Sequence, residues 1–376
     1  MRDTIDQIDV WACRVPLPSP LCFGAFTVTA RRYVALRMRT CGGLSADVVG
    51  HTRGSPVDVA ISDLLAPLLI GADPADLAGR REDFLKATIA LERDGVIGRA
   101  WSLLELALQG LNAVARAVPA WQFLGGRARE LPVQLVEGYA LPDESDEAFA
   151  ERLSARVDEG YRALKVEGAH YRDWKTLERR LQLIRRAAPA CRLVVDFAWS
   201  WHRASEHVEV LAALEVLGID WIEDAFPREA IGEYAAAAKL TRAPLGCGDE
   251  ATRSADLFAL VDGAALKVVR LDATALGGIS AVLPLVSAFA ARGCRVSLHE
   301  FAEIHEHCAL AGTAVDHIEM FPADRPFDVR HELTVTSAHA RVRKGQLLPA
   351  SDPGLGVVLD LEQVARHAVR HGRIAA

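Results

Sequence analysis

Short apolar runs recur along the second half of the chain, and each ends in a group that can carry charge. LKVE closes on Lys165 and Glu167, LVVD on Asp196 and DWIE on Glu223; PLGCG runs into Asp249, VVRL into Asp272 and RVSL into His299, and DHIE ends on Glu319. Between these runs the apolar residues fall at helical intervals, as with Trp174, Leu177, Leu181 and Ile184, and residues 206–217 and 280–292 read the same way. A strand, a crossover helix and two loops fit the roughly 20 to 30 residues between consecutive members of the series. The pattern predicts parallel strands alternating with helices, with the charged strand ends gathered on one face of a barrel, where the sites of that architecture lie. Runs such as VVD and LKVV are short and wholly apolar, as strands covered on both faces require.

Before residue 130 the pattern differs. IDQIDVWACRVPL and RRYVALRMRT predict two strands joined by a loop containing Phe23 and Phe26, and residues 55–120 are rich in Ala and Leu at helical spacing. This half predicts an α+β domain that ends near Gly125-Gly126, after which LPVQLVEGY opens the repeating units. The last 30 or so residues, with the turn SDPGLG, fall outside the repeat and are free to return to the first domain. The expected division is residues 1–128, 129–345 and 346–376. No low-complexity linker separates the parts, which predicts that they pack together.

Composition narrows the function classes. A chain of 376 residues that is 51% hydrophobic and 25% charged can bury a large core. No apolar run is long enough to span a bilayer, and MRDTIDQIDVWAC carries acids where a signal peptide needs a basic start, so a soluble, cytoplasmic protein is expected. Seven cysteines without a CxxC pair read as small buried hydrophobes rather than a disulfide framework or zinc ribbon. A net charge of −7 with mixed signs offers no basic stripe for nucleic acid.

Candidate chemistry begins with three acids. Asp196, Glu223 and Asp249 are 27 and 26 residues apart by subtraction, which places them on consecutive strands. Any one of them alone reads as a solvated strand-end acid. Three converging carboxylates repel one another unless a cation compensates them, and hard oxygen donors favour Mg²⁺ over zinc or copper. Asp272 and His299 follow on the next two strands; an Asp beside a His fixes the imidazole tautomer and raises its basicity, although such a pair can also be structural. Glu319, on the last strand, could as a protonated acid donate a hydrogen bond to a developing enolate.

The segments YRALKVEG, VVDFAWSW, WIEDAFP, PLGCGDEA, LDATALGGIS, VSLHEF and DHIE together resemble the mandelate racemase branch of the enolase superfamily. The resemblance implies an α/β protein, a (β/α)7β TIM-like barrel beneath an α+β capping domain formed by the N-terminal segment and the C-terminal tail. It implies Mg²⁺ on Asp196, Glu223 and Asp249, and a dyad of Asp272 with His299, the Asp being followed by the turn Gly277-Gly278-Ile279. It implies proton abstraction α to the carboxylate of a small-molecule substrate, with Lys165 and Glu319 beside the enediolate. The capping loop with Phe23 and Phe26, and His51, would line the substrate site, and a symmetric dimer or octamer is implied.

Two departures bear on the reaction. The family carries Lys-x-Lys on the second barrel strand, where this chain has Lys165-Val166-Glu167, and often an Asn where this chain has Ala198. Glu167 thus occupies the place of the second base; it could move protons, bind a substrate hydroxyl, or pair with Lys165. With that base altered, dehydration of an aldonate or aldarate through His299 fits better than racemisation, which needs groups on both faces of the α-carbon. An epimerase, racemase or cycloisomerase using Glu167 is the alternative within enzymes, and a non-catalytic barrel that retains ligand binding the alternative outside them. Lys267, Arg270 and Glu300 have no assigned role.

Overall fold

The computed structural model describes residues 3–23, 26–141, 143–171, 173–312, 314–315, 317–325 and 327–376, apart from the side chains of residues 22, 23 and 26. Three antiparallel strands come first: β1 (Ile5–Phe23), β2 (Phe26–Thr40) and β3 (Ser45–His51). Their alternation produces two apolar faces. Ile8, Val10, Leu36, Met38 and Val48 turn one way, into the main core. Trp11, Cys13, Val15, Tyr33, Ala35 and Val49 turn the other way, where they meet Val136, Tyr139, Phe321 and Phe327 at the top of the barrel.

The helical part of the cap contains α1 (Val57–Val59), α2 (Leu77–Ala87), α3 (Val96–Ala115) and α4 (Ala120–Phe123). Asp76 caps α2 by accepting from the Gly79 N–H. Every residue of α3 from Gly98 to Ala113 is buried, as a helix apolar almost all round requires. Its few polar residues are spent on contacts, and Glu105 accepts from the backbone N–H groups of Ile279 at 2.8 Å and Ser280 at 3.2 Å. That carboxylate sits against the helix starting at Ile279, where the positive end of the helix dipole favours it. Gly278 permits the approach, because a Cβ there would lie 1.9 Å from Glu105 Oε2.

The barrel then builds strand by strand. In order come β4 (Leu131–Gly138), α5 (Asp146–Asp158), β5 (Ala163–Glu167), α6 (Trp174–Ala187), β6 (Arg192–Asp196) and α7 (Val208–Val216). Next are β7 (Trp221–Glu223), α8 (Ile231–Ala237), β8 (Leu245–Cys247) and α9 (Ser254–Ala264). The ring ends with β9 (Val268–Leu271), α10 (Ile279–Ala290), β10 (Arg295–Leu298), α11 (Ala302–Ala311) and β11 (Ile318–Met320). A parallel ladder runs from β10 back to β4, and β11 pairs with the other side of β4. Eight strands and seven intervening helices make the (β/α)7β barrel expected from the strand-end series.

Residues alternate across the barrel wall. Leu164, Val166, Leu193, Val195, Ile222, Val269, Leu271, Val296 and Leu298 face the helices, while Lys165, Glu167, Asp196, Glu223, Arg270, Ser297 and Glu319 take the intervening positions. The interior is therefore far more polar than wholly apolar strands imply; its apolar part is a small plug of Val194, Trp221 and Val268.

After the barrel, β12 (Val342–Arg343) and β13 (Gln346–Leu347) form a hairpin lying antiparallel on β4. The chain then crosses to the cap, where α12 (Leu361–His367) leads into β14 (Ala368–Ala375), paired antiparallel with β1 in the sheet order β14-β1-β2-β3. Among the described residues no helix is long and apolar enough to cross a membrane.

Candidate metal centre and catalytic face

Strand register gathers the acids. Glu167 lies beside Asp196 in the β5–β6 pairing, and Asp196 beside Glu223 in the β6–β7 pairing. Asp249 arrives just past β8, after Gly248, whose φ of 133° only glycine adopts easily. Asp196, Glu223 and Asp249 each offer a carboxylate oxygen within 4.8 Å of the others, with Asp196 half-buried and the other two buried. Burial, opposed by Arg270 and Lys165, holds Glu223 above the usual carboxylate range. For Asp249 burial works the same way, but Arg270 and His299 outweigh it and keep the group ionised.

Two fixed cations thread this cluster. Lys165 Nζ donates to Glu223 Oε1 at 2.6 Å and lies 2.8 Å from Glu319 Oε2 and 3.4 Å from Asp196 Oδ2. Arg270, with no exposed surface, donates through Nε to Asp249 Oδ1 at 2.6 Å and through Nη2 to Glu319 Oε2 at 2.8 Å; its Nε also lies 3.4 Å from Glu223 Oε2. Beneath it Nη1 donates to Ser297 Oγ, which is bonded to His317 at 2.9 Å. Asp196, Glu223, Asp249, Glu167 and Glu319 thus set five acids against two fixed cations. The surplus of hard oxygen donors fits a magnesium-like dication at Asp196, Glu223 and Asp249.

The dyad lies on the adjoining strands. His299 Nδ1 is 3.1 Å from Asp272 Oδ2, whose other oxygen accepts from the Thr274 N–H and Oγ1–H, both at 2.7 Å. With Nδ1–H committed to Asp272, Nε2 is left as the basic nitrogen. It faces Asp249 Oδ2 at 3.6 Å and Glu300 Oε2 at 3.8 Å. Burial lowers the His299 pKa, but Asp249 and Asp272 outweigh it and push it up to about 10.

Three details differ from expectation. Glu319 is no neutral acid: burial raises its pKa, but Arg270 and Lys165 more than reverse this, so its Oε2 accepts from two cations while Oε1 accepts from the Glu300 N–H. Lys165 turns to Glu223, Glu319 and Asp196, and Glu167 Oε1 instead accepts from the Ala169 N–H at 2.9 Å. Burial and the neighbouring Asp196 push the Glu167 carboxyl well up. At Ala198 the backbone contributes to the site: its N–H donates to Asp196 Oδ1 at 2.9 Å, with Ala198 and Trp199 both in the left-handed region.

Of the three capping residues expected at the substrate site, His51 is brought in, buried, with Nε2 2.9 Å from Glu300 Oε2. Phe23 ends β1 and Phe26 begins β2, but their side chains lie outside the described residues. Of the residues without an assigned role that the structure brings into the site, Arg270 and Glu300, only Arg270 carries a signal in strand alternation. Arg270 on β9 precedes Asp272 by two positions, so alternation points both inward, and Lys267, just before the strand, is exposed.

The chain is 25% identical to the L-talarate/galactarate dehydratase of Salmonella typhimurium over 80% of this chain and 73% of that protein. It is 25% identical to a D-galactonate dehydratase family member of Catenulispora acidiphila over 84% and 79%. Its fold superposes with a TM-score of 0.86 on the L-talarate dehydratase of Polaromonas sp. JS666 complexed with Mg and L-glucarate, at 22% identity, covering 100% of this chain and 99% of that one. Residues 7–125 match the mandelate racemase/muconate lactonizing enzyme N-terminal domain and residues 148–364 the enolase C-terminal domain-like family. The chain therefore belongs to the mandelate racemase/muconate lactonizing enzyme family of the enolase superfamily.

Proposed function

We propose that the protein is a Mg²⁺-dependent hydro-lyase that abstracts the proton α to the carboxylate of an acid sugar and expels the β-hydroxyl as water. The observation that carries this reading is the placement of His299, held at Nδ1 by Asp272 with Nε2 turned toward Asp249 of the acid triad. Against burial, the same Asp249 does most to raise the His299 pKa, and a cation on that carboxylate would lower it toward the range of a base. Asp196, Glu223 and Asp249 would hold the ion, which when bound supplies Lewis-acid stabilisation to the substrate carboxylate. Lys165 adds a fixed positive charge beside the developing enediolate. His299 Nε2 takes the α-proton, and the resulting imidazolium returns a proton to the departing hydroxyl, so that one group serves as base and then acid. The dehydratase relatives support this reaction class.

An epimerase is the second reading, favoured by the raised pKa of the buried Glu167, which keeps an acid in the place of the opposing base. One experiment separates the two: a stereochemically complete library of mono- and diacid sugars is incubated with Mg²⁺ in D₂O, scoring water loss and deuterium incorporation together. Dehydration is expected, and His299→Asn should lower α-proton exchange by about 10²- to 10⁴-fold while Mg²⁺ binding persists. Deuterium incorporation without water loss selects the epimerase, and undiminished exchange in the variant rejects His299 as the base.

A further inference from the structure

Immediately after His299 the backbone turns through two left-handed residues, Glu300 at φ 53° and Phe301 at φ 42°, neither of them glycine. Such strain persists only where the surroundings over-determine it. Here they do. The Glu300 N–H donates to Glu319 Oε1 at 3.2 Å, and its carbonyl accepts from His305 Nδ1 at 2.6 Å. The His305 tautomer follows from its other nitrogen, which accepts from the Ala273 N–H at 2.9 Å. His305 therefore ties the residue after Asp272 to the residue after His299. The Phe301 ring is held by Arg330 at 4.6 Å and the edge of His51 at 5.1 Å.

The result is that the Glu300 side chain turns back toward the cap. Its Oε2 meets His51 Nε2 at 2.9 Å and stands 3.8 Å from His299 Nε2. The longer distance is beyond a hydrogen bond, so Nε2 stays open to a substrate C–H while a carboxylate lies beside any imidazolium that forms. His51 stacks on Tyr33 at 4.9 Å, and the Tyr33 hydroxyl donates to Asp328. Burial, then Arg53, lowers the His51 pKa, so this residue meets Glu300 as a neutral donor and leaves the carboxylate's charge in place. An imidazolium there would cancel the pull on His299.

We propose that Glu300 is a positioning residue for the base: its carboxylate flanks the Nε2 side of His299 without hydrogen-bonding it, opposite the Nδ1–Asp272 hydrogen bond, and His51 of the capping sheet holds Glu300 in place. A competent base would then be assembled only with the cap docked. Glu250, which follows Asp249 and is also left-handed at φ 62°, is held by Arg53 and Arg99 of the cap in the same way. The inference rests on His299 being the base.

The test measures α-proton exchange by the Mg²⁺-loaded protein on the best substrate of the library, for Glu300→Gln, His51→Asn, the double variant and His299→Asn. Glu300→Gln and His51→Asn are each expected to lower kcat for exchange about 10- to 100-fold with KM and Mg²⁺ affinity within about threefold of the parent, and the double variant should match Glu300→Gln rather than multiply the two losses. Exchange within twofold of the parent in Glu300→Gln, or multiplying losses, overturns the role of Glu300 while leaving His299 as base. A fall confined to KM or Mg²⁺ affinity overturns it too. Undiminished exchange in His299→Asn removes the base and its positioning residue together.

Discussion

Replacing Arg270 by Met tests whether a guanidinium holds the acid cluster together at rest. Arg270 is fully buried and contacts Asp249 at 2.6 and 3.3 Å, Glu319 at 2.8 Å and Glu223 at 3.4 Å. Methionine keeps much of the volume and removes the charge, leaving Lys165 to face the surplus of carboxylates. Removing one partner of a buried, hydrogen-bonded charge pair costs about 3 to 5 kcal/mol. At about 2.1 cal/mol/K of unfolding entropy per residue, 376 residues give about 0.8 kcal/mol/K, so Tm should fall by about 4 to 6 °C in the metal-free protein. Mg²⁺ should then bind more tightly, because a cation competing for Asp249 has gone. Two unit charges 4 Å apart interact by about 4 kcal/mol at an effective dielectric near 20, so even a third of that raises affinity about tenfold. Calorimetric melts of parent and variant in EDTA and across a Mg²⁺ series read both quantities. A metal-free variant melting within about 1 °C of the parent, or one that binds Mg²⁺ more weakly, would refute the reasoning.

Three further outcomes follow from other parts of the structure. His307 is buried, and its pKa is lowered by burial to about 4, so the unfolded chain takes up a proton there before the folded one does; stability should fall as pH drops from about 6.5 toward 4, by about 2 kcal/mol at pH 5, and urea midpoints for His307→Leu should show a flatter profile. If parent and variant have equal slopes, another group controls the acid limb. Gly248→Ala would place a Cβ 2.3 Å from the Arg270 carbonyl oxygen at a φ of 133°, so a loss of about 3 kcal/mol or more and weaker Mg²⁺ binding are expected by denaturation and calorimetry; parental values for both would show that the turn can relax. Glu167→Gln should retain α-proton exchange within about tenfold of the parent, and complete loss would make Glu167 the base.

Much of the barrel was legible because two periodicities coincide in it: an inward-facing charge stands at or just past the end of each strand from β5 to β11, and helical spacing fills the intervals. Asp196, Glu223, Asp249, Asp272, His299 and Glu319 converge for that reason. β3 was not legible, since Ser45–His51 is short and lies against helices that dominate the surrounding composition. The charge state of Glu319 depends on Lys165 and Arg270, contacts made across the barrel, and strand spacing carries no information about them. Glu300 was hidden by its backbone: two non-glycine residues in the left-handed region redirect a side chain that strand alternation would send elsewhere.

The pairing of β14 with β1 has a consequence for synthesis. Gln7 sits opposite Ala375, so the edge of β1 stays open until the final strand has been made. All eight barrel strands precede that strand and can close first, whereas the capping sheet waits on the most distant contact in the chain. During that interval β1, 19 residues long, presents unpaired N–H and C=O groups to any passing strand. Slow, non-local closure of this kind leaves a nascent chain prone to aggregation, and it predicts that truncation within residues 368–375 harms yield more than it harms the barrel.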